Sequence, residues 1–311
     1  MEPYHIPVLI REVVESLHCR RGGVYVDGTV GGGGHAFAVL EQIGPDGILI
    51  GIDKDDDALA EAGKCLKAFG DRAILVKGDF ADLGSILNGL DIGMVDGILL
   101  DLGVSSHQLN AAERGFSFSQ DAPLDMRMDR CGRIDAHRIV NTYPEEELKD
   151  IIRDYGEERM AGRIARAIIT QRKLAPIETT ATLASLVSSV MPPSLKGHRI
   201  HPATRTFQAL RIAVNEELDS LRRGLATAIN RLEPGGRLSV ISFQSLEDRM
   251  VKETFAIEAK SCICPVDLPV CSCGKKASLR LITRKPIRPS EAEMASNPRS
   301  RSAKLRTVER I

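Results

Sequence analysis

VYVDGTVGGGGH, the stretch Val24–His35, decides the fold of this 311-residue chain. Three residues that favour a β-strand lead to an acid, and a loop rich in glycine follows. The apolar run Ala36–Ile43 then indicates a helix. Strand, tight loop and helix in this order open a doubly wound nucleotide-binding sheet. Glycine suits such a loop because it tolerates positive φ and lets backbone N–H groups approach a ligand, and the helix N-terminus favours an anionic group.

The next predicted strand, Gly47–Asp53, also ends in an acid. Asp53 stands where a carboxylate binds ribose hydroxyls in such folds. A dinucleotide is disfavoured because the glycines run consecutively instead of as G-x-G-x-x-G, and because Asp27 at the end of the first strand would repel a pyrophosphate. An acid there suits a cationic ligand. S-adenosylmethionine has an ammonium and a sulfonium group, a carboxylate for the loop amides and a ribose for Asp53, so we expect it as the cofactor.

The composition excludes several classes of protein. A hydrophobic content of 43% over 311 residues suffices for one large domain or two modest ones. The formal net charge is zero, so contact with nucleic acid requires a local basic patch. Seven cysteines at uneven spacing do not indicate a secreted disulfide framework. Because we find no signal peptide and no apolar run of transmembrane length, we expect a cytoplasmic protein without membrane contact.

Two further strands are predicted, and each leads to a candidate site residue. Ala73–Lys77 precedes a turn in which Asp79 or Phe80 could flank an adenine, although an ordinary turn with a core Phe is the alternative. Val95–Asp101 is a continuous apolar run, as in a central parallel strand buried on both faces. Its terminal Asp101 faces the crevice where open α/β sheets bind ligands. Catalysis or substrate contact is therefore favoured over a helix N-cap for this acid.

The alternation of strands and helices stops between His107 and about Arg205. A strand-free stretch of this length predicts an inserted helical domain, because a structureless loop so long is implausible. We expect an α/β domain of residues 1–107 and 206–311 and an insertion of residues 108–205. Its predicted helices are Pro144–Tyr155, Glu157–Gln171 and Thr179–Val190. On the second, Arg159, Arg163 and Arg166 share a face that is either solvated or in contact with a phosphate backbone.

After the insertion the chain returns to the α/β pattern. One helix is predicted over Phe207–Arg223 and a fifth strand over Gly235–Phe243, with another helix directly after it. From Lys275 to Arg310 the sequence contains eleven Lys or Arg and three Glu. Two short strands are expected in this basic run, Leu279–Arg284 and Lys304–Val308. The run is either solvated or a footprint for RNA.

Four of the cysteines lie close together, in Cys262-Ile263-Cys264 and in Cys271-Ser272-Cys273. Two close pairs in a cytoplasmic protein suit a soft divalent metal such as zinc. Their C-x-C spacing is tighter than in the usual zinc ribbon, so free thiols in a loop are the alternative. The sequence leaves zinc at these four cysteines open and assigns no metal site.

Several long motifs together resemble those of the RsmH (MraW) family, the small-subunit ribosomal RNA cytosine-N4 methyltransferases of bacteria. The resemblance runs nearly from end to end of the chain. The motifs are Asp27–Thr29 with Gly31–His35, Asp101–Ser106, Arg114–Phe118, Leu124–Met128, His201–Arg205 with Thr206–Arg211, and Ser242–Phe243 with Ser245–Arg249.

The resemblance implies a class I S-adenosylmethionine-dependent methyltransferase: an α/β, Rossmann-like doubly wound sheet with an inserted helical substrate-recognition domain. The implied acceptor is the N4 amine of a cytidine in the decoding region of 16S rRNA, in the small ribosomal subunit. One position departs from the family, because Gln244 stands where His is common, which argues against a general base there. Asp27 and Asp53 are expected to bind the cofactor from their places at the strand ends. The resemblance also implies Asp53 as a cofactor contact, and it adds Gly33, Gly34, His35, Phe80, Asp101 and Gln108.

Methylation of an exocyclic amine needs in-line placement and an acceptor for the amine proton. We expect Asp101 or a nearby backbone carbonyl to accept this proton, and Ser105 and Ser106 to position a base that has left its stack. Methylation at carbon 5 of cytosine is disfavoured, because it needs a cysteine nucleophile beside the donor. No cysteine stands directly after the fourth or fifth predicted strand. A small-molecule methyltransferase and a non-catalytic RNA-binding assembly factor are the alternatives. The sequence leaves open whether the substrate is naked rRNA or the assembled subunit, and whether the chain forms a homodimer.

Overall fold

A computed structural model describes residues 7–192, 201–265 and 271–311 of the chain. Its strands are β1 (Val24–Asp27), β2 (Ile48–Asp53), β3 (Ala73–Lys77), β4 (Val95–Asp101), β5 (Leu232–Ser242), β6 (Leu279–Leu281) and β7 (Lys304–Arg310). Its α-helices are α1 (Ile10–Leu17), α2 (Gly34–Ile43), α3 (Asp56–Cys65), α4 (Leu83–Gly89), α5 (Ser106–Asn110), α6 (Ala136–Thr142), α7 (Glu145–Asp154), α8 (Ala161–Arg172), α9 (Thr180–Val190), α10 (Thr204–Asn215), α11 (Glu217–Arg231), α12 (Ser245–Glu258) and α13 (Glu291–Ser296).

The chain divides into two compact units, Met1–Gly103 with Leu218–Ile311 and Val104–Glu217. The first unit contains the sheet, and the second contains α5 to α10. The expected insertion, residues 108–205, lies within the second unit. Across the described ranges, no helix is both long enough and apolar enough to cross a membrane.

The strands of the first unit form one sheet in the order β3-β2-β1-β4-β5-β7-β6. The first five strands are parallel, whereas β7 runs antiparallel to both β5 and β6. The predicted doubly wound sheet is confirmed. Because the carboxyl ends of parallel strands meet at one edge, the residues after β1 to β5 are candidates for one site.

β4 is buried on both faces because its side chains alternate between two hydrophobic clusters. Ile98 and Leu100 join the cluster that includes residues of α4, α11 and α12. Leu99 joins a different cluster, with residues of α1, α2 and α3. This period of two accounts for the continuous apolar run predicted to be a central strand, and it gives a layer of helices on each face of the sheet.

The second unit has its own hydrophobic core, formed by its helices. Leu148, Ile164, Ile168, Leu183 and Leu210 are each fully buried in it. The described residues of this unit contain no strand. They contain one isolated antiparallel bridge, which pairs Pro123, after α5, with Thr179, directly before α9. The predicted helical character of the insertion is confirmed.

The helix predicted over Glu157–Gln171 is wrong at its start. Glu157 has φ 48, in the left-handed region, and α8 begins only at Ala161. Glu158 Oε1 accepts a hydrogen bond from Met160 N–H at 2.9 Å, which holds a turn in place of the first helical residues. Arg159 therefore precedes the helix, and the three arginines expected on one helical face do not share it.

The single helix predicted over Phe207–Arg223 is instead α10 and α11, with a break at Glu216, whose φ is 51. The side chain of Asn215 explains this break. Its Nδ2 donates to Met126 O at 2.8 Å, and its Oδ1 accepts from Met128 N–H at 2.7 Å. A tertiary contact thus interrupts a helical pattern that the sequence continues.

Candidate active site

Three acids end neighbouring strands at the carboxyl edge of the sheet. Asp27 ends β1, Asp53 ends β2 and Asp101 ends β4. Since β1 lies between β2 and β4, the three carboxyl groups come to the same part of this edge. The structure therefore groups the acids that the strand patterns singled out.

The glycine-rich loop after β1 is hydrogen-bonded to the ends of both neighbouring strands. Gly28 N–H donates to a β4 carbonyl at 2.9 Å, and Val30 N–H donates to a β2 carbonyl at 2.9 Å. Gly31 N–H donates to Asp53 Oδ2 at 2.9 Å, and Gly33 N–H donates within the loop at 2.8 Å. These four N–H groups already have acceptors in the protein, so a ligand carboxylate must use others.

Thr29 joins two of the acids, a role that no sequence pattern indicated. Its Oγ1 accepts the backbone N–H of Asp101 at 2.6 Å. Its own N–H donates to Asp27 Oδ1 at 3.2 Å. Thr29 therefore links the ends of β1 and β4, and only the pairing of these strands reveals its partner.

Gly33 and Gly34 are required by the fold itself. Gly33 has φ 86, which side chains rarely adopt. A Cβ atom on Gly34 would lie 2.1 Å from Pro7 Cγ, far inside contact distance. Both glycines are thus explained by backbone geometry and close packing, and their contact with a cofactor stays a prediction.

His35 lies in the first turn of α2 and is buried. Its Nε2 is 2.8 Å from Val8 O, so this nitrogen carries a proton and donates it. Its Nδ1 faces Asp101 Oδ2 at 3.7 Å. The N-terminal segment thereby orients the imidazole toward the acid at the end of β4.

Asp27 and Asp101 are buried acids with unpaired oxygen atoms. Within the described part of the chain, Asp27 Oδ2 and Asp101 Oδ1 have no hydrogen-bond partner. Burial, together with the charge of Asp53, raises the pKa of Asp27 to about 7. Burial and the charges of Asp27 and Glu247 raise the pKa of Asp101 well above its ordinary value. Because such groups are costly without a partner, a cationic group or a transferable proton fits this place.

Asp53 differs from these two acids because both of its oxygen atoms are hydrogen-bonded. Oδ1 accepts from Asp55 N–H at 3.0 Å, and Oδ2 accepts from Gly31 N–H at 2.9 Å. Burial raises the pKa of Asp53, and these N–H groups oppose the increase. The carboxylate is fixed in orientation and keeps lone pairs for hydroxyl donors.

An ion pair next to Asp53 was not predicted. Lys54 Nζ lies 2.8 Å from Asp79 Oδ2, which also accepts from Ser220 Oγ at 2.6 Å. Burial by itself raises the pKa of Asp79, but the Lys54 ammonium and the hydrogen bonds lower it below its ordinary value. Asp79 is therefore a charged residue with structural partners directly after β2 and on α11.

Phe80 packs against α11. A Cβ atom on Gly224 would lie 2.4 Å from Phe80 Cδ2, so the absence of a side chain at Gly224 makes room for the ring. Phe80 also packs against the hydrophobic cluster on that face of the sheet. This agrees with the plainer alternative for the turn, a core Phe, and the contact of Phe80 with a cofactor stays a prediction.

Two residues to which no sequence pattern gave a role lie beyond β5: Phe243 directly follows the strand, and Glu247 is in the first turn of α12. Glu247 is buried, and its Oε2 accepts from Phe243 N–H at 2.9 Å and from Gln244 N–H at 3.1 Å. Gln244 is the N-cap residue of α12. The Phe243 ring lies beside Gly103, because a Cβ atom there would be 3.6 Å from Phe243 Cδ2. An aromatic ring from β5 is thus close to the strand end that carries Asp101.

Ser105, Ser106 and Gln108 belong to the second unit. Ser105 is the N-cap of α5, and its Oγ accepts from Gln108 N–H at 3.1 Å. In return, Gln108 Oε1 accepts from Ser105 N–H at 2.9 Å. This capping box accounts for Ser105 and Gln108 in local terms. The predicted placement of a base by Ser105 and Ser106, and of a cofactor by Gln108, stays a prediction.

The sheet order, the reversed β7, the glycine-rich loop and the acids at the ends of β1, β2 and β4 define a class I, Rossmann-like α/β methyltransferase. A family model described as the MraW methylase family matches residues 2–311, and the chain belongs to this family.

Curated relatives match the chain over nearly its whole length. Ribosomal RNA small subunit methyltransferase H of Syntrophus aciditrophicus is 59% identical over 308 residues, which covers 99% of this chain and 98% of the relative. The protein of the same name from Symbiobacterium thermophilum is 54% identical over 308 residues, covering 99% and 97%. Among solved structures, a SAM-dependent O-methyltransferase from Thermotoga maritima aligns with 100% of this chain and 68% of its own, at 10% identity and a TM-score of 0.44.

Proposed function

We propose that this protein transfers a methyl group from S-adenosylmethionine to the N4 amine of a cytidine in the decoding region of 16S rRNA. The observation that carries the proposal is the pair of acids Asp27 and Asp101 beside the glycine-rich loop, each of which has one buried carboxyl oxygen without a hydrogen-bond partner among the described residues. The names of the relatives support ribosomal RNA of the small subunit as the substrate.

The acids fit the methyl donor. When bound, S-adenosylmethionine supplies an electrophilic methyl group on a sulfonium. Asp27 and Asp101 would hold its cationic groups, because an unpaired carboxylate stabilises a nearby positive charge. Asp53, held in place by two backbone N–H groups, would accept hydrogen bonds from the ribose.

Asp101 would also accept the proton of the amine. Burial and the neighbouring acids raise its pKa and so penalise the carboxylate in the protein alone, whereas a cationic ligand nearby stabilises the carboxylate. With both ligands bound, the carboxylate would hydrogen-bond the exocyclic amine. It would take the amine proton as the N–C bond forms and the methyl–sulfur bond of the donor breaks, with S-adenosylhomocysteine as the leaving group. Since the amine lone pair is delocalised into the ring, this acceptor and the in-line placement provide the acceleration.

Phe243 would hold the target base. DNA amino-methyltransferases have an acid or amide, two prolines and an aromatic residue after the fourth strand, whereas this chain has Asp101-Leu102-Gly103-Val104 there. The Phe243 ring beside Gly103 brings an aromatic face to the same strand end from β5. A flipped cytosine can stack on such a ring.

The connection between β6 and β7 would contact the RNA backbone. Several cations of the basic C-terminal run have acidic partners, among them Lys275 with Glu258 and Arg306 with Asp248. The RNA-binding surface that was expected over the whole basic run is therefore reduced to the β6–β7 connection. Its exposed cations within this connection are Arg284, Lys285, Arg288, Arg299 and Arg301.

The test uses the full chain and small subunits from cells that lack it. Subunits, free 16S rRNA and cytidine are each incubated with methyl-labelled S-adenosylmethionine, and the RNA is digested to nucleosides. We expect the label in N4-methylcytidine released from the RNA. Label in 5-methylcytidine or only in the free nucleoside would contradict the proposal. Binding of the donor without transfer to any of the three would favour the assembly-factor alternative.

A further inference from the structure

The two ends of the connection between α12 and β6 are in contact with each other, but the described residues of the connection form no hydrophobic core. Ser278 N–H donates to Glu258 O at 2.9 Å, and Lys275 Nζ lies 3.1 Å from Glu258 Oε2. Between Lys260 and Lys276, no described residue is buried. The described part of this connection therefore lacks the apolar burial that usually stabilises a loop.

The four cysteines of this connection converge. Cys271 Sγ lies 3.4 Å from Cys262 Sγ, 4.0 Å from Cys264 Sγ and 3.6 Å from Cys273 Sγ. Cys273 Sγ is 3.8 Å from Cys262 Sγ. All four sulfur atoms lie within 4.8 Å of one another. Two short segments, separated along the chain, thus bring four thiols to one point.

These distances fit a tetrahedral metal and not disulfides. A zinc ion with four sulfur ligands at about 2.3 Å places the sulfur atoms about 3.8 Å apart. A disulfide would require a bond of about 2.05 Å, much shorter than any of the separations. The backbone supports the cluster, since Cys264 N–H donates to Cys262 Sγ and Ser272 N–H donates to Cys264 Sγ, each at 3.4 Å. Such N–H donors stabilise sulfur that carries negative charge.

We propose that Cys262, Cys264, Cys271 and Cys273 bind one zinc ion in a closed site that fastens the α12–β6 connection. Binding releases the thiol protons to solvent, and the four thiolates fill the tetrahedral positions. With no position left for water or substrate, the ion has a structural role. The C-x-C spacing is tighter than in the usual zinc ribbon, but it suffices here because each of the two short segments supplies two sulfur ligands to the same point.

The experiment measures zinc bound to the full chain. The reduced protein is loaded with Zn²⁺ and desalted, and its zinc content is measured by inductively coupled plasma mass spectrometry. We expect about one zinc ion per chain, and less than about a tenth of that for the double variant C262S/C273S. The matched control is Cys131→Ser, an exposed cysteine of the second unit, which should keep the full amount.

A second measurement keeps the proposal testable if the double variant folds poorly. Trypsin cleavage after Lys260, Lys275 and Lys276 is followed in the wild-type chain with zinc and after chelation. Removal of the ion should speed cleavage there about tenfold or more, because the connection loses what orders it. Equal zinc in C262S/C273S and C131S, no retained zinc in the wild type, unchanged cleavage after chelation, or mapped disulfides among the four cysteines would each overturn the proposal.

Discussion

Asp27 and Asp101 at the carboxyl edge of the sheet contrast with Asp248, an acid of the same unit that packs against β7. The carboxylate of Asp248 accepts hydrogen bonds from Arg306 Nε at 2.7 Å and from Lys304 Nζ at 2.9 Å. Burial by itself raises its pKa, but the two cations lower it below the ordinary value. The pKa values of Asp27 and Asp101 are raised, since no lysine or arginine among the described residues opposes the burial of either acid.

Glu309 on β7 repeats the paired arrangement. Arg237 Nε on β5 lies 3.1 Å from its Oε2, and Arg280 on β6 pairs with its Oε1. Burial again raises the pKa, and the two guanidinium groups lower it overall. The comparison shows that this unit supplies cations to acids that hold strands together. In the part of the chain that the structure describes, Asp27 and Asp101 have no lysine or arginine partner, as expected of groups that bind a cation from outside.

The largest expected effect is on catalysis. Asp101→Asn should lower the rate of methyl transfer by about 10²- to 10⁴-fold, because the amide cannot accept a proton. Stability should not fall, since the substitution removes a penalised charge. Single-turnover kinetics and thermal unfolding measure the two effects, with the exposed Asp46→Asn as the matched control. Methyl transfer by Asp101→Asn at the control's rate would remove Asp101 from the mechanism.

The opposite result is expected for the paired acid. Asp248→Asn should destabilise the protein by about 3 kcal/mol, because it leaves Arg306 mostly buried without its carboxylate. Binding of S-adenosylmethionine should change little in the folded variant. Urea unfolding and calorimetric titration measure these quantities. A loss of donor binding with unchanged stability would contradict the contrast between the two groups of acids.

The pH dependence of stability distinguishes the acids further. Because the pKa of Asp27 is raised from 3.8 to about 7, the folded state keeps a proton that the unfolded chain releases in this window. The contribution of Asp27 to stability therefore decreases as pH rises from about 4 to about 7 and is constant above. Across this pH range, the free energy of unfolding of Asp27→Asn should rise relative to that of the wild type by at most about 4 kcal/mol. Urea unfolding at a series of pH values checks it, and a constant difference would refute it.

The smallest expected effect concerns the two partners of Glu309. Arg280→Ala should cost less than about 1 kcal/mol, because this side chain is 63% exposed and its pairing is screened by solvent. Arg237→Ala should cost more, since Arg237 is 18% exposed and also donates to Ser16 O at 2.9 Å. Unfolding of both variants at low and high salt provides the comparison. Equal losses would show that burial does not determine the strength of these pairs.

Local patterns predicted much of the fold. The five parallel strands were found because each is a short apolar run that ends at an acid or a turn, as is typical of the strands of a parallel sheet. The break between α10 and α11 was missed because it depends on Asn215 and its contact with Met126 and Met128, which are distant in sequence. The start of α8 was missed because Glu157 adopts positive φ, which the residue type does not reveal.

The sequence by itself determined the class of sheet, the glycine-rich loop and the acids at the strand ends, since these follow from the order of residues within single strands and turns. Only the tertiary structure showed which acids are paired. It also showed that Thr29 links β1 to β4, that Phe243 lies beside Gly103 and that four sulfur atoms meet. Each of these depends on side chains from separate segments, whose distances are set by packing and strand register and not by neighbours in the chain.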